Sequence, residues 1–222
     1  MAGALYGVSV GPGDPELMTR LAERRIREAD VIAVPGKTAE TSAAYRIAVQ
    51  AVPEIAEKEV LALGLPMTDN PEMWKQTHRA AAAELERRAQ QGRRIACLVL
   101  GDVTLYSSFG YLQRVLQEEG FAAELIPGVP AFCAAAARLG VFLAEGREPL
   151  TVLPGTVPDP ETPGTVVVMK AAGHIPEIRA AFAGSGRAVC GAERAGMPGE
   201  RLFASPEELP EEAGYFTTII IR

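Results

Sequence analysis

Cysteine is scarce. Cys97, Cys133 and Cys190 are the three in 222 residues, far apart and odd in number. No Cys-x-x-Cys pair and no Cys/His cluster occurs, so neither a disulfide framework nor a metal site is suggested. The reducing cytoplasm is the expected compartment. Cys97 sits inside the apolar run Ile95–Leu100 and reads as a small core residue. Positive charge is also short: 22 Lys and Arg against 28 Asp and Glu give a formal net charge of −6. A protein that grips nucleic acid needs a positive field, so no nucleic-acid partner is expected. The densest early basic cluster, Arg24, Arg25 and Arg27, is flanked by Glu23 and Glu28 and reads as a solvated helix face. No apolar run is long enough to span a bilayer. Met1 leads directly into a strand-like run, without the basic and apolar segments of a secretory leader. No membrane partner is expected. The two histidines, His78 and His174, stand alone and read as surface or structural residues. No general base is named.

Two nucleotide signatures are missing as well. The stretch Gly7-Val8-Ser9-Val10-Gly11-Pro12-Gly13-Asp14-Pro15 carries glycines where a strand hands over to a helix. From Gly11, a Gly-x-Gly-x-x-Gly fingerprint needs glycine at position 16, where Glu16 stands. No Gly-Lys-Ser/Thr follows to make a phosphate loop. Asp14 also argues against phosphate in that turn.

What is present is an ordinary globular composition, 48% hydrophobic and 23% charged, in a chain long enough for a substantial core. The first half alternates strand and helix signals. Strands are predicted at Leu5–Val10, Asp30–Pro35, Glu59–Leu65, Arg94–Leu100 and Ala122–Ile126. Helices are predicted at Pro15–Ala29, Ser42–Val52, Trp74–Gln91 and Gly110–Glu119, the last two closed by Gly92 and Gly120. Such alternation implies right-handed βαβ units and a mostly parallel sheet. After Pro127 the rhythm changes to a short alanine-rich helix, Ala131–Leu139. Strands follow at Leu150–Pro154, Thr165–Lys170, Arg187–Ala192 and Tyr215–Ile221, with one helix near Ile175–Ala183. A boundary near residues 122–128 gives an N-terminal α/β lobe, 1–124, and a C-terminal α/β lobe with a mixed sheet, 125–222. A cleft between two such lobes is the default ligand site.

Five glycine-bearing strand ends stand at ordered intervals. In open α/β sheets, ligands bind outside the carboxyl ends of strands. The second, Leu100-Gly101-Asp102-Val103-Thr104-Leu105-Tyr106-Ser107-Ser108-Phe109, puts bare backbone beside a carboxylate. That suits a ligand with a ribose or an amino-acid end. The structural alternative is plain local capping: Asp14 at the first helix, Asp102 at the helix through Tyr106. The third is Leu125-Ile126-Pro127-Gly128-Val129-Pro130-Ala131-Phe132. The fourth, Val166–Ala172, ends a strand in Met-Lys, and the fifth runs Cys190–Glu200.

Taken together, GVSVGPGDPELMT, LGDVTLYSSF, ELIPGVPAF, VVVMKAAG and CGAERAGMPGE resemble the tetrapyrrole (corrin/porphyrin) methyltransferases of the cobalamin and sirohaem pathways, over about residues 4–221. Tyr106-Ser107-Ser108-Phe109 and the C-terminal Tyr215–Ile221 resemble the branch that acts at carbon 20 of precorrin-2. The resemblance implies two α/β lobes of the tetrapyrrole methylase type (class III methyltransferase) and a homodimer. It implies S-adenosyl-L-methionine as methyl donor in the interlobe cleft, S-adenosyl-L-homocysteine as product, and a small-molecule tetrapyrrole as acceptor. By motif matching, Pro12 is among the cofactor contacts, in a first glycine loop that faces the tetrapyrrole side. Leu100, Gly101, Asp102 and Leu105 hold the methionine end and nearby ribose. Pro130 and Ala131 follow the third turn, and Met169 and Ala195 line the adenine pocket. Tyr106 is a candidate for touching substrate. Lys37, Lys170 and Arg194 are candidates for meeting its carboxylates. Val103 stands where many relatives carry proline, and Pro130 and Ala195 where small or hydroxylated residues are common. Metal-free precorrin-2 and its cobalt form both fit. Related enzymes act at another corrin carbon, on uroporphyrinogen III, or on the diphthamide precursor. A non-catalytic nucleotide-binding module is the reading from a different class.

Overall fold

The chain divides into two compact units, Met1–Val129 and Pro130–Arg222; the computed structural model describes residues 3–66 and 70–222.

In the first unit the elements run β1 (Ala4–Ser9), α1 (Arg20–Glu28), β2 (Val31–Val34), α2 (Ala43–Ala51), β3 (Glu59–Ala62), α3 (Pro71–Gln90), β4 (Arg94–Val99), α4 (Phe109–Glu118) and β5 (Glu124–Ile126). The sheet order is β3-β2-β4-β1-β5, and every pairing is parallel. β2 and the greater part of β1 and β4 are buried, as expected for parallel strands covered on both faces. The core on one face joins Leu85, Ile95, Cys97, Phe109, Leu112 and Leu116. Gly7 makes this possible, because a Cβ there would lie 2.5 Å from the Phe109 ring. The first residue of α4 therefore seats on β1, which fixes where the preceding loop can run. β5 pairs with β1, so the first unit takes in the strand that a 124/125 edge would have cut.

Several boundaries differ from the sequence reading. The helix expected over Pro15–Ala29 is split. Asp14 Oδ1 accepts from Glu16 N and caps a single 3-10 turn, Pro15–Leu17; Met18 is then extended (ψ 136°), and α1 begins after Thr19, whose Oγ1 accepts from Ala22 N. α3 begins at Pro71 rather than Trp74, because Asn70 Oδ1 accepts from Glu72 N and Met73 N and Pro71 fills the first helical position. His78, on α3, is 2% exposed. Its Nδ1 donates to the Trp74 carbonyl and its ring stacks on Trp74, so it is a structural residue inside the unit. Cys97 is 2% exposed, and burial pushes its thiol pKa well up. Arg25 is more than a solvated cation, for it bridges α1 to Glu124 of β5.

The second unit comprises α5 (Ala131–Leu139), β6 (Leu150–Pro154), β7 (Thr165–Met169), α6 (Ile175–Phe182), β8 (Val189–Glu193), β9 (Arg201–Phe203) and β10 (Thr217–Ile221). Its sheet is mixed, in the order β6-β7-β10-β8-β9. β6 and β7 are parallel, whereas β10 runs antiparallel to both β7 and β8. β9 was not expected; three residues, Arg-Leu-Phe, give no periodicity to detect. The core gathers Val166, Val168, Ile175, Ile178, Ile219 and Ile221. Arg187 gathers the Pro/Thr/Gly loop by donating to the carbonyls of Thr162 (2.9 Å), Gly164 and Ile221 (3.3 Å).

Candidate active site

Three turns of the first unit meet at the carboxyl edge of its sheet. Just past β1, Val10 N donates to Val99 O (2.8 Å), and Gly101 N donates to Gly11 O (2.8 Å). Gly11 and Gly101 form an isolated bridge, both at positive φ (76° and 73°), a conformation that glycine adopts without steric cost. Pro12 follows, buried in the turn. After Leu100 and Gly101 the chain forms a turn from Asp102 to Leu105, closed by Leu105 N to Asp102 O (3.3 Å). Asp102 is 7% exposed. Its Oδ1 accepts from Thr104 N (2.8 Å) and Thr104 Oγ1, and its Oδ2 accepts from Gly128 N (2.8 Å). Burial alone would push this carboxyl up; the hydrogen bonds from Gly128 and Thr104 outweigh it and hold the pKa below its ordinary value.

Asp102 therefore does not cap α4, which starts seven residues on behind Ser108. It clamps the β4 turn to the β5 turn. At Gly128 a Cβ would lie 2.5 Å from Ser9 Cβ and 2.7 Å from Gly101 O, so three turns pack backbone against backbone. Tyr106 holds a left-handed backbone (φ 49°) and is 45% exposed, a conformation that costs a non-glycine residue about 1–2 kcal/mol.

The second unit has its own edge, where β7 and β8 end and β10 begins. Met169 pairs with Thr218 and Glu193 with Thr217. Directly after each strand comes a cationic residue in the left-handed region, Lys170 (φ 58°) and Arg194 (φ 57°). Lys170 Nζ lies 5.5 Å from the centroid of the Tyr215 ring, and Arg194 N donates to Phe216 O (2.9 Å). Buried Glu193 takes Gly214 N (2.8 Å) and Arg201 Nε (2.8 Å). Burial opposes its charge, but Arg201 and Gly214 hold its pKa below the ordinary value. Ala195 lies in the following turn, which Glu200 pins to α5: Glu200 takes Gly196 N (2.6 Å) and Arg138 Nε (3.0 Å). Pro130 and Ala131 open α5, and α5 packs on β8.

The sequence-named residues thus fall into two sets. Pro12, Leu100, Gly101, Asp102, Leu105 and Tyr106 share the first edge. Met169, Lys170, Arg194 and Ala195 share the second, with Pro130 and Ala131 on the helix packed behind it. Lys37 lies in the turn after β2, the strand beside β4 in the parallel sheet. The sequence reading missed Ser9 and Tyr215. Ser9 looks like any strand residue, and its partner is 94 positions away.

A family model for Tetrapyrrole (Corrin/Porphyrin) Methylases matches residues 4–210. The chain belongs to that family. A precorrin-2 C(20)-methyltransferase of Sinorhizobium is 33% identical over 99% of this chain and 95% of the relative. A cobalt-precorrin-2 C(20)-methyltransferase of Salmonella typhimurium is 31% identical, covering 100% and 97% respectively. The crystal structure of a uroporphyrin-III C-methyltransferase of Thermus thermophilus, in complex with S-adenosylhomocysteine, has a TM-score of 0.72 at 25% identity, covering 99% of this chain and 97% of that one. The two-unit α/β architecture of this tetrapyrrole methylase is thus that of the class III methyltransferases.

Proposed function

We propose that the protein transfers a methyl group from S-adenosyl-L-methionine to carbon 20 of precorrin-2 or its cobalt form, in cobalamin biosynthesis. The observation that carries this is full-length similarity to two relatives of that activity, combined with an intact set of strand-end turns. The donor set suits the methyl donor. The turn Leu100–Leu105 offers half-buried apolar walls at Leu100 and Leu105, on a backbone fixed by Gly101 N donating to Gly11 O. Asp102 Oδ2 accepts from Gly128 and retains lone-pair capacity for a hydroxyl or an ammonium group.

Bound S-adenosylmethionine supplies an electrophilic methyl group on its sulfonium. The protein's part is positioning, which can supply most of the acceleration of a direct transfer. In this reading Leu100, Gly101, Asp102 and Leu105 hold the methionine end and ribose. Pro130 and Ala131 contribute further cofactor contacts, and Met169 and Ala195 line the adenine. Pro12 and Tyr106 serve the tetrapyrrole. Lys170 and Arg194 meet its carboxylates, since each holds a cation beyond a strand end at the expense of backbone comfort.

The protein works as a homodimer in the cytoplasm. The family resemblance supports the homodimer, as does the alanine-rich α5, Ala131–Leu139, whose small side chains permit close packing. Two measurements test it. Calorimetry should detect S-adenosylhomocysteine and neither NAD nor ATP. Anaerobic incubation with precorrin-2 should add one methyl by mass; no product from either precorrin-2 or its cobalt form would refute it.

A further inference from the structure

We propose that Ser9 is a positioning residue for the methyl-donor turn, acting through the backbone N–H of Val103. The proposal rests on the reading that Leu100–Leu105 contacts the donor. Ser9 is the last residue of β1 and is fully buried. Its Oγ accepts from Val103 N at 2.8 Å. Val103 is 3% exposed, so its N–H lies away from water. A buried N–H must be paired or the backbone must move to pair it. Val103 is the second residue of the turn that Asp102 opens and Leu105 closes. Asp102 fixes that turn to Gly128, and Ser9 fixes it to β1. The two anchors come from consecutive strands on the same side of β4, the end of β1 and the turn after β5, and together they fix two successive residues of the turn. Residue 9 is closely packed, since a Cβ on Gly128 would lie 2.5 Å from Ser9 Cβ. Serine is the small residue that also brings an oxygen.

This coupling has a specific escape. The second position of such a turn suits proline, which has no N–H. Val103→Pro removes the donor and with it the need for the Ser9 hydroxyl. The test is a double-mutant cycle of Ser9→Ala and Val103→Pro. It is read by S-adenosylhomocysteine calorimetry and by amide exchange at Val103 in the unliganded protein.

Ser9→Ala is expected to weaken binding by about tenfold. It should release Val103 to fast exchange while β4 keeps its protection. Ser9→Ala with Val103→Pro should return to within about threefold of Val103→Pro alone, the non-additivity expected of touching groups. Unchanged protection of Val103 in Ser9→Ala overturns the proposal and leaves the donor site as read. Faster exchange with unchanged affinity shows instead that the turn does not meet the donor, and both fall. Should Val103→Pro itself bind poorly, the exchange and affinity of Ser9→Ala decide.

Discussion

The two strand-end regions solve different problems with the same parts. At the ends of β1, β4 and β5, polar side chains are spent on the protein itself. Ser9 serves Val103, Asp102 serves Thr104 and Gly128, and Gly11 and Gly101 take positive φ values, as Tyr106 does farther along the loop after β4. At the ends of β7 and β8, left-handed positions belong to Lys170, half-buried over the Tyr215 ring, and Arg194, which is exposed. The first region presents backbone in a fixed shape; the second presents charge. A neutral ribose or an amino-acid end can be read by fixed backbone. A ring bearing many carboxylates needs cations, which an overall charge of −6 does not supply.

The comparison breaks most readily at Gly128. Gly128→Ala forces a Cβ to 2.5 Å from Ser9 Cβ, and overpacking costs about 1–3 kcal/mol. Calorimetry should show S-adenosylhomocysteine affinity falling by about 100-fold, with a lower melting temperature; near-normal binding would mean the turns are not held as tightly as described.

Asp102→Ala comes next. It strips acceptors from Gly128 and Thr104, so the expected loss is about 1.5–3 kcal/mol of stability, and melting without ligand should fall together with affinity. The pH dependence has a definite sign. The folded carboxyl titrates below its ordinary value, so its contribution is complete above the unfolded value of about 4 and is lost as pH falls through the folded value. Stability profiles between neutral pH and pH 3 should be less steep in acid for Asp102→Asn than for wild type. Parallel profiles would remove Asp102 from the clamp.

The second region gives the opposite pattern. Lys170→Gly and Arg194→Gly relieve left-handed strain of about 1–2 kcal/mol against a glycine entropy cost of roughly 0.5–1 kcal/mol. Chemical denaturation should show stability unchanged or slightly higher. Steady-state kinetics should show a raised KM for the tetrapyrrole and an unchanged KM for the methyl donor. Loss of stability in both variants would mean the cations serve the fold.

The smallest effect is expected outside both regions. Glu84 on α3 accepts from Arg87 and Arg88, which hold its pKa down to about 2. Glu84→Gln should cost less than about 1 kcal/mol and leave turnover alone. A change in turnover would show that the α3 surface matters to the site.

Much of this was legible in the sequence because the signals were local. Apolar runs gave the strands of both sheets except β9, and Ala131–Leu139 has the bounds expected of it. What escaped was set by partners distant in sequence or by backbone angles that residue type conceals. The Ser9–Val103 bond spans 94 positions. Lys170 and Arg194 occupy angles usually marked by glycine, so no glycine announced them. The capping alternative for Asp102 fails because Thr104, two residues away, reaches the carboxylate first and α4 starts only at Phe109.

The most direct test is to incubate the protein with precorrin-2, with cobalt-precorrin-2 and with S-adenosylmethionine carrying a labelled methyl group, and to locate the label by carbon NMR. The account predicts label at carbon 20 from at least one of the two substrates. Label at another ring carbon such as carbon 11, or label appearing on uroporphyrinogen III alone, would contradict it.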